Sequence, residues 1–415
     1  MAETGAAGKT DLLFEVLQRR LFGVAVFNLF ISSIVGVILR LYPIVSVPFF
    51  DYRNVMHAHS HFAFGGWVMP MLLALILRYF PEITRRIPFR HLRNISVSIL
   101  VSAYGMLLSF PFRGYAPISI GFSTLSIFAG VYMASELWKA TRQLHAVSVL
   151  FLRAGLVFLV LSALGPFATG PLIAMGKAGT PLYYDAVYFY LHFQYNGWFT
   201  FAILAVLYKM IEKMGPPVNG KLVYGLFAVG CIPSYFLSVL WSHPHGIFYV
   251  ISMAAALMQL IAAAFLLKDL RKLRWSNNLV DLLFKAAILF FVVKNVLQAL
   301  SALPVIADLA YLRRNYIIAY LHMVLVGFIS FGALSLMLKS RVNNLQPLVK
   351  SGLVLLVIAF ILTETFLVLN AAGINIQISG FSFQHSMFVT SLLFPLAILL
   401  ILMRIASCTG TSMNY

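Results

Sequence analysis

The chain has 415 residues, of which 61% are hydrophobic and only 10% charged, and it carries a formal net charge of +18. So apolar a composition excludes a soluble fold and calls for an integral membrane protein. The cysteines, Cys231 and Cys408, exclude a disulfide framework, a CxxCH haem attachment, an iron–sulfur cluster and a thiolate-rich copper site.

The first fifteen residues, MAETGAAGKTDLLFE, are polar, with no short apolar core or small-residue cleavage pattern, so no removable signal peptide is expected. Apolar runs of about 20 residues, bounded by charge, Gly or Pro, then predict twelve membrane spans. They cover 20–42, 56–79, 94–113, 116–138, 147–172, 186–210, 221–242, 246–268, 279–300, 315–338, 348–370 and 384–406. Lipid offers no partners for backbone polar groups, so all twelve are expected to be helices. The loops after even-numbered helices hold the basic runs Arg85, Arg86, Arg90, Arg93 and Lys268, Arg271, Lys272, Arg274. By the positive-inside rule that side is cytoplasmic, with both termini on it. Most of the +18 is therefore topology, and no nucleic-acid partner is implied. The organisation expected is a cytoplasmic tail over 1–19, one twelve-helix domain over 20–406 and a second tail over 407–415. Neither a linker nor an internal repeat stands out.

The stretch from Asn54 to Pro70, NVMHAHSHFAFGGWVMP, puts His57, His59 and His61 at the mouth of an apolar helix. Ionisable rings inside a span are costly and mark candidate functional sites. At 3.6 residues per turn His57 and His61 share a face and His59 points away, so the three do not bind one metal together. Gly65 and Gly66, one turn on, leave the backbone open to a flat ligand such as a porphyrin. Against this stands the reading of interfacial histidines bonded to carbonyls or headgroups.

On the predicted topology His57, His59, His61, His192, His243, His245, His322 and His385 all lie near the outer face, within about two turns or 10 Å of it. His91 and His145 fall in basic cytoplasmic loops. Imidazole suits copper, iron and zinc, and without thiolates or a carboxylate cluster at that depth haem iron or copper is the natural candidate. Lys294, Glu364 and Asn196 share the slab, as do the outer cations Arg53, Arg113, Lys177, Arg313 and Arg314. Arginines there suit haem propionates, or for Arg313 and Arg314 a pairing with Asp308. Lys294 and Glu364 suit either a buried ion pair or a proton path.

These residues resemble the catalytic subunit of haem–copper oxidases and the related nitric-oxide reductases. AHSHFAFGGWVMP is similar to that family's helix 2, LHFQYNGWFTF to helix 6 of the reductases, LWSHPHGIFY to the end of helix 7 and IIAYLHMVLVGF to helix 10. The resemblance implies an all-α, twelve-helix bundle of the cytochrome oxidase subunit I type. It also implies a low-spin haem b held by His59 and His322, with His57 or His61 as alternatives to His59. Copper would be held by His192, His243 and His245, beside a second haem pocket near Tyr320. Arg53, Arg313 and Arg314 would meet the propionates.

The sequence departs from the family pattern in three places. Helix 10 carries Tyr320 where the family has a second histidine; a tyrosinate holds haem iron in catalase, with a changed potential and chemistry. Helix 7 reads His-Pro-His, so Pro244 would have to reshape the helix end to bring two rings to one metal. Asn196 stands one turn after His192 where other members carry Tyr or Glu, and Tyr195 is one position off. A neutral amide orients a ligand but does not deliver a proton as a carboxylic acid does.

The resemblance implies an oxidoreductase reducing dioxygen or nitric oxide in a bacterial inner membrane. Its electrons would come from a cytochrome c, a cupredoxin or a quinol at the outer face, with accessory subunits as further partners. Two rival readings are a haem electron carrier or gas sensor without turnover, and a transition-metal transporter without haem.

Overall fold

The computed structural model describes residues 2–340, 345–374 and 382–405, and side chains between 11 and 403 within those ranges. All regular elements are helices, with no strand among the described residues. The expected tail at 407–415 lies outside them. Nine described helices are long and apolar enough to cross a membrane: Asp11–Leu41, Tyr52–Tyr79, Phe89–Arg113, Pro117–Thr141, Val147–Ala174, Ile247–Leu270, Arg314–Leu338, Pro347–Ala371 and Phe383–Met403. The expected spans 186–210 and 279–300 fall within the helical run 181–213 and the helix Leu279–Ser301.

One helix is longer than its expected span and one expectation is corrected. The first helix runs from Ala2 to Leu41, ahead of the expected span 20–42, and along it Asp11 pairs with Arg85 at 2.9 Å and Phe14 packs edge-on against Phe89 at 5.9 Å. The span 221–242 is not one α-helix. It is α-helical over Gly220–Cys231 and continues as 3-10 turns over Pro233–Ser238 and Leu240–Ser242. Pro233 has no N–H to continue the α-helical ladder, and the Tyr235 N–H bonds three residues back to the Ile232 carbonyl. The Cys231 carbonyl is thereby released from the helix.

The chain divides into two compact units, Met1–Met133 with Asn278–Val280 and Ala333–Tyr415, and Ala134–Asn277 with Asp281–Gly332. Within the first, Gly66 would normally give its carbonyl to the N–H four residues on, but that residue is Pro70. The buried Asn28 side chain donates to this carbonyl instead, at 2.7 Å, and Tyr104 donates in turn to Asn28. Within the second, Glu212 accepts from the backbone N–H and hydroxyl of Ser148 at 2.9 and 2.6 Å, closing the start of the helix that begins at Val147. Asp269 likewise accepts from Tyr208 and from the Asn219 side chain, at 3.2 and 3.0 Å.

Three helices widen into π turns, at Ala63–Val68, Phe193–Phe199 and Met323–Ser330. Each follows a histidine that has a glycine five residues on and an aromatic ring next to it: His61 with Gly66 and Trp67, His192 with Gly197 and Trp198, His322 with Gly327 and Phe328. The three turns close at corresponding places. The Met69 N–H bonds to the Phe64 carbonyl, while the Thr200 and Ser330 hydroxyls bond to the carbonyls of Tyr195 and Leu325, each at 2.7 Å. The three turns thus share a short local pattern, and π turns of this kind are frequent at functional sites.

Candidate functional site

In the first unit, Asp51 starts the histidine helix by accepting the backbone N–H groups of Arg53 and Asn54 at 2.8 and 3.3 Å. Arg53 is exposed beside this cap. His57 and His61 then turn towards the end of Phe89–Arg113: His61 stacks on Phe110 at 4.8 Å, and its Nε2 lies 3.2 Å from the Tyr115 hydroxyl. His57 meets the same Tyr115 ring edge-on at 4.9 Å. His59 faces the opposite way, onto the first helix.

Gly36 makes room for that ring. A Cβ at residue 36 would sit 3.3 Å from His59 Cε1, tighter than ordinary packing. Ser32 and Arg40 share this face of the first helix, one turn to either side; the Ser32 backbone meets the ring, and the Arg40 charge acts on both His59 and Glu364. His59 Nδ1 is buried with no hydrogen-bond partner. A buried, unbonded imidazole nitrogen is costly unless something binds it, so this residue fits a haem ligand. His61, its Nε2 already taken by Tyr115, fits less well.

In the second unit, His192 is fully buried and both ring nitrogens are engaged. Nε2 donates to the Cys231 carbonyl at 2.8 Å, and Nδ1 accepts from the Asn196 amide at 3.1 Å. Ser234 donates to the same Cys231 carbonyl at 3.0 Å. Lys294, only 2% exposed, is buried in the same unit with its amine 5.7 Å from the centre of the Phe291 ring. Tyr195 is buried on the π turn after His192, and the buried Tyr320 hydroxyl has no hydrogen-bond partner.

His243 and His245 are arranged otherwise. His243 takes a left-handed backbone, φ 50°, its side chain is 70% exposed, and its Nδ1 lies 3.9 Å from Asp308. His245 is exposed and accepts the Ile247 N–H at 3.4 Å, at the start of Ile247–Leu270. Among the described residues no group of three or more His, Cys, Asp or Glu is assembled to hold a metal. A copper ion needs an imidazole lone pair, and His192 has none to spare. The donor set does not fit copper as it stands. His322 ends the helix Arg314–His322 and opens the π turn at Met323–Ser330, while Arg313 and Arg314 are exposed at that helix's start.

Sequence reasoning did not single out Gly36, Ser32 or the Cys231 carbonyl. Pro233 inside an expected span was the available signal for the last; nothing local marks the first two.

No protein-family model matches the sequence and no curated protein does. In fold the chain is similar to a haem–copper terminal oxidase solved as a dimer by cryo-electron microscopy. The two are 13% identical with a TM-score of 0.67, over 96% of this chain and 84% of that one. At that identity the likeness is one of fold.

Proposed function

We propose that this integral membrane protein binds haem b and carries electrons in a respiratory role related to that of terminal oxidases. The observation that supports it is His59, an imidazole in a membrane helix whose Nδ1 is buried and unbonded and whose ring rests in the space left by Gly36. Ionisable residues in spans are functional candidates, and haem iron takes a neutral imidazole nitrogen. His59 is the ligand we assign in the first unit, with His57 and His61 engaged by Tyr115 and Phe110. His322 is the candidate in the second. The bound haem would supply a one-electron iron couple. Arg53, Arg313 and Arg314 are exposed cations suited to propionates, and the donor would be a cytochrome c, a cupredoxin or a quinol at the outer face of a bacterial inner membrane.

The test is purification in detergent followed by pyridine haemochromogen and reduced-minus-oxidised spectra. Haem b in stoichiometric amount is expected; its absence sinks the reading and leaves a haem-free metal transporter. A second reading, reduction of dioxygen or nitric oxide at a second haem near Tyr320, is favoured by the likeness to a terminal oxidase. It requires a carbon-monoxide-reactive species, which a carrier with one six-coordinate haem lacks.

A further inference from the structure

His192 sits where the family resemblance calls for a copper ligand, yet its surroundings are those of a hydrogen-bonded structural residue. A neutral imidazole has one N–H and one lone pair. The Cys231 carbonyl only accepts, so Nε2 carries the proton, and the Nδ1 lone pair is the acceptor for Asn196. A metal at either nitrogen would have to displace one of these partners in a fully buried setting.

Both partners come from local folding rather than from adaptable surface side chains. Asn196 lies one turn along the same helix, inside the π turn at Phe193–Phe199. The Cys231 carbonyl is available because Tyr235 bonds back to Ile232 after the break at Pro233, and Ser234 shares it. The imidazole thus ties a widened helix to a broken one.

The other expected ligands point the same way. The two remaining histidines of the expected set do not converge on His192. His243 is turned out towards Asp308, and His245 accepts the Ile247 N–H.

We infer that the second unit holds a metal-free histidine site, in which His192 clamps the π turn to the Cys231 carbonyl and both its ring nitrogens are taken by protein partners in place of copper. The inference is independent of haem binding at His59, since copper and haem iron are counted separately.

The experiment uses the full-length protein as purified, with whatever haem it carries. It is incubated with excess Cu(I) under reducing conditions and, separately, with Cu(II), then freed of unbound metal. Copper and iron per chain are measured by mass spectrometry, for the wild type and for His192→Gln, His243→Gln and His245→Gln. Less than about one tenth of a copper per chain is expected in the wild type. About one copper per chain in the wild type, reduced to background in His192→Gln or in both other variants, overturns the inference. Copper that survives all three substitutions lies elsewhere and leaves it standing. Should His192→Gln fail to fold, the wild-type stoichiometry and the His243 and His245 variants still decide.

Discussion

The amide nitrogen of Asn196 lies 3.1 Å from Nδ1 of His192, one helical turn back in the same chain segment. With the Cys231 carbonyl on the other nitrogen, this contact converts a residue placed like a metal ligand into one with both hydrogen-bonding positions filled. The neutral amide at this position thus has a structural role of its own: Asn196 donates to the imidazole.

Removing that donor should be costly. Asn196→Leu leaves a buried imidazole nitrogen unbonded, at a cost of about 1–3 kcal/mol. A lower unfolding temperature in detergent is expected, with haem content unchanged. Full retention of stability would show that the contact does not hold the π turn.

Gly36 and His59 offer a steric test of the haem assignment. Gly36→Val brings a branched side chain to a position where even its Cβ is 3.3 Å from the ring, so the ring must move. Haem content should fall or the reduced spectrum shift. Gly23→Val, on the same helix with nothing within 4 Å of the added Cβ, should leave both unchanged. Equal behaviour of the two variants would remove His59 from the site.

The histidines of Tyr52–Tyr79 should separate by face. His59→Ala is expected to abolish the low-spin haem signal. His61→Ala keeps the signal and loses the hydrogen bond to Tyr115, lowering stability by about 1 kcal/mol. The reverse pattern, measured by reduced-minus-oxidised spectra and thermal unfolding, would move the assignment to His61.

His322→Ala should also remove or alter the low-spin signal, and a spectrum identical to wild type would exclude it as a ligand. The measurement is the same difference spectrum, taken at matched haem content.

Gly197 allows the π turn to approach the helix Val147–Ala174. A Cβ there would lie 2.6 Å from the Phe158 Cβ, a contact that requires the backbone to move. Gly197→Val should destabilise by about 1–3 kcal/mol through overpacking, seen as a lowered unfolding temperature; an unchanged value would mean that the close approach is dispensable.

Much of this was readable in the residues. Hydropathy over short windows identifies membrane helices because lipid tolerates no unbonded backbone, and it anticipated the helical runs through His57, His192 and His322. Helical periodicity separated His59 from His57 and His61, as their contacts with Gly36 on one side and Phe110 on the other now display. It did not foresee the break at Pro233, which follows from a displaced hydrogen bond.

Whether a histidine nitrogen is open or taken is another kind of question. Composition and spacing establish membrane helices, since hydropathy depends on neighbours along the chain. The state of each nitrogen depends on groups brought from far away: Cys231 lies 39 residues from His192, and Tyr115 lies 54 from His61. His59 Nδ1 is buried with no hydrogen-bond partner on a ring that packs against Gly36, 23 residues back in the chain. Ligand chemistry is a matter of available lone pairs, and availability is settled by packing, which no local pattern encodes.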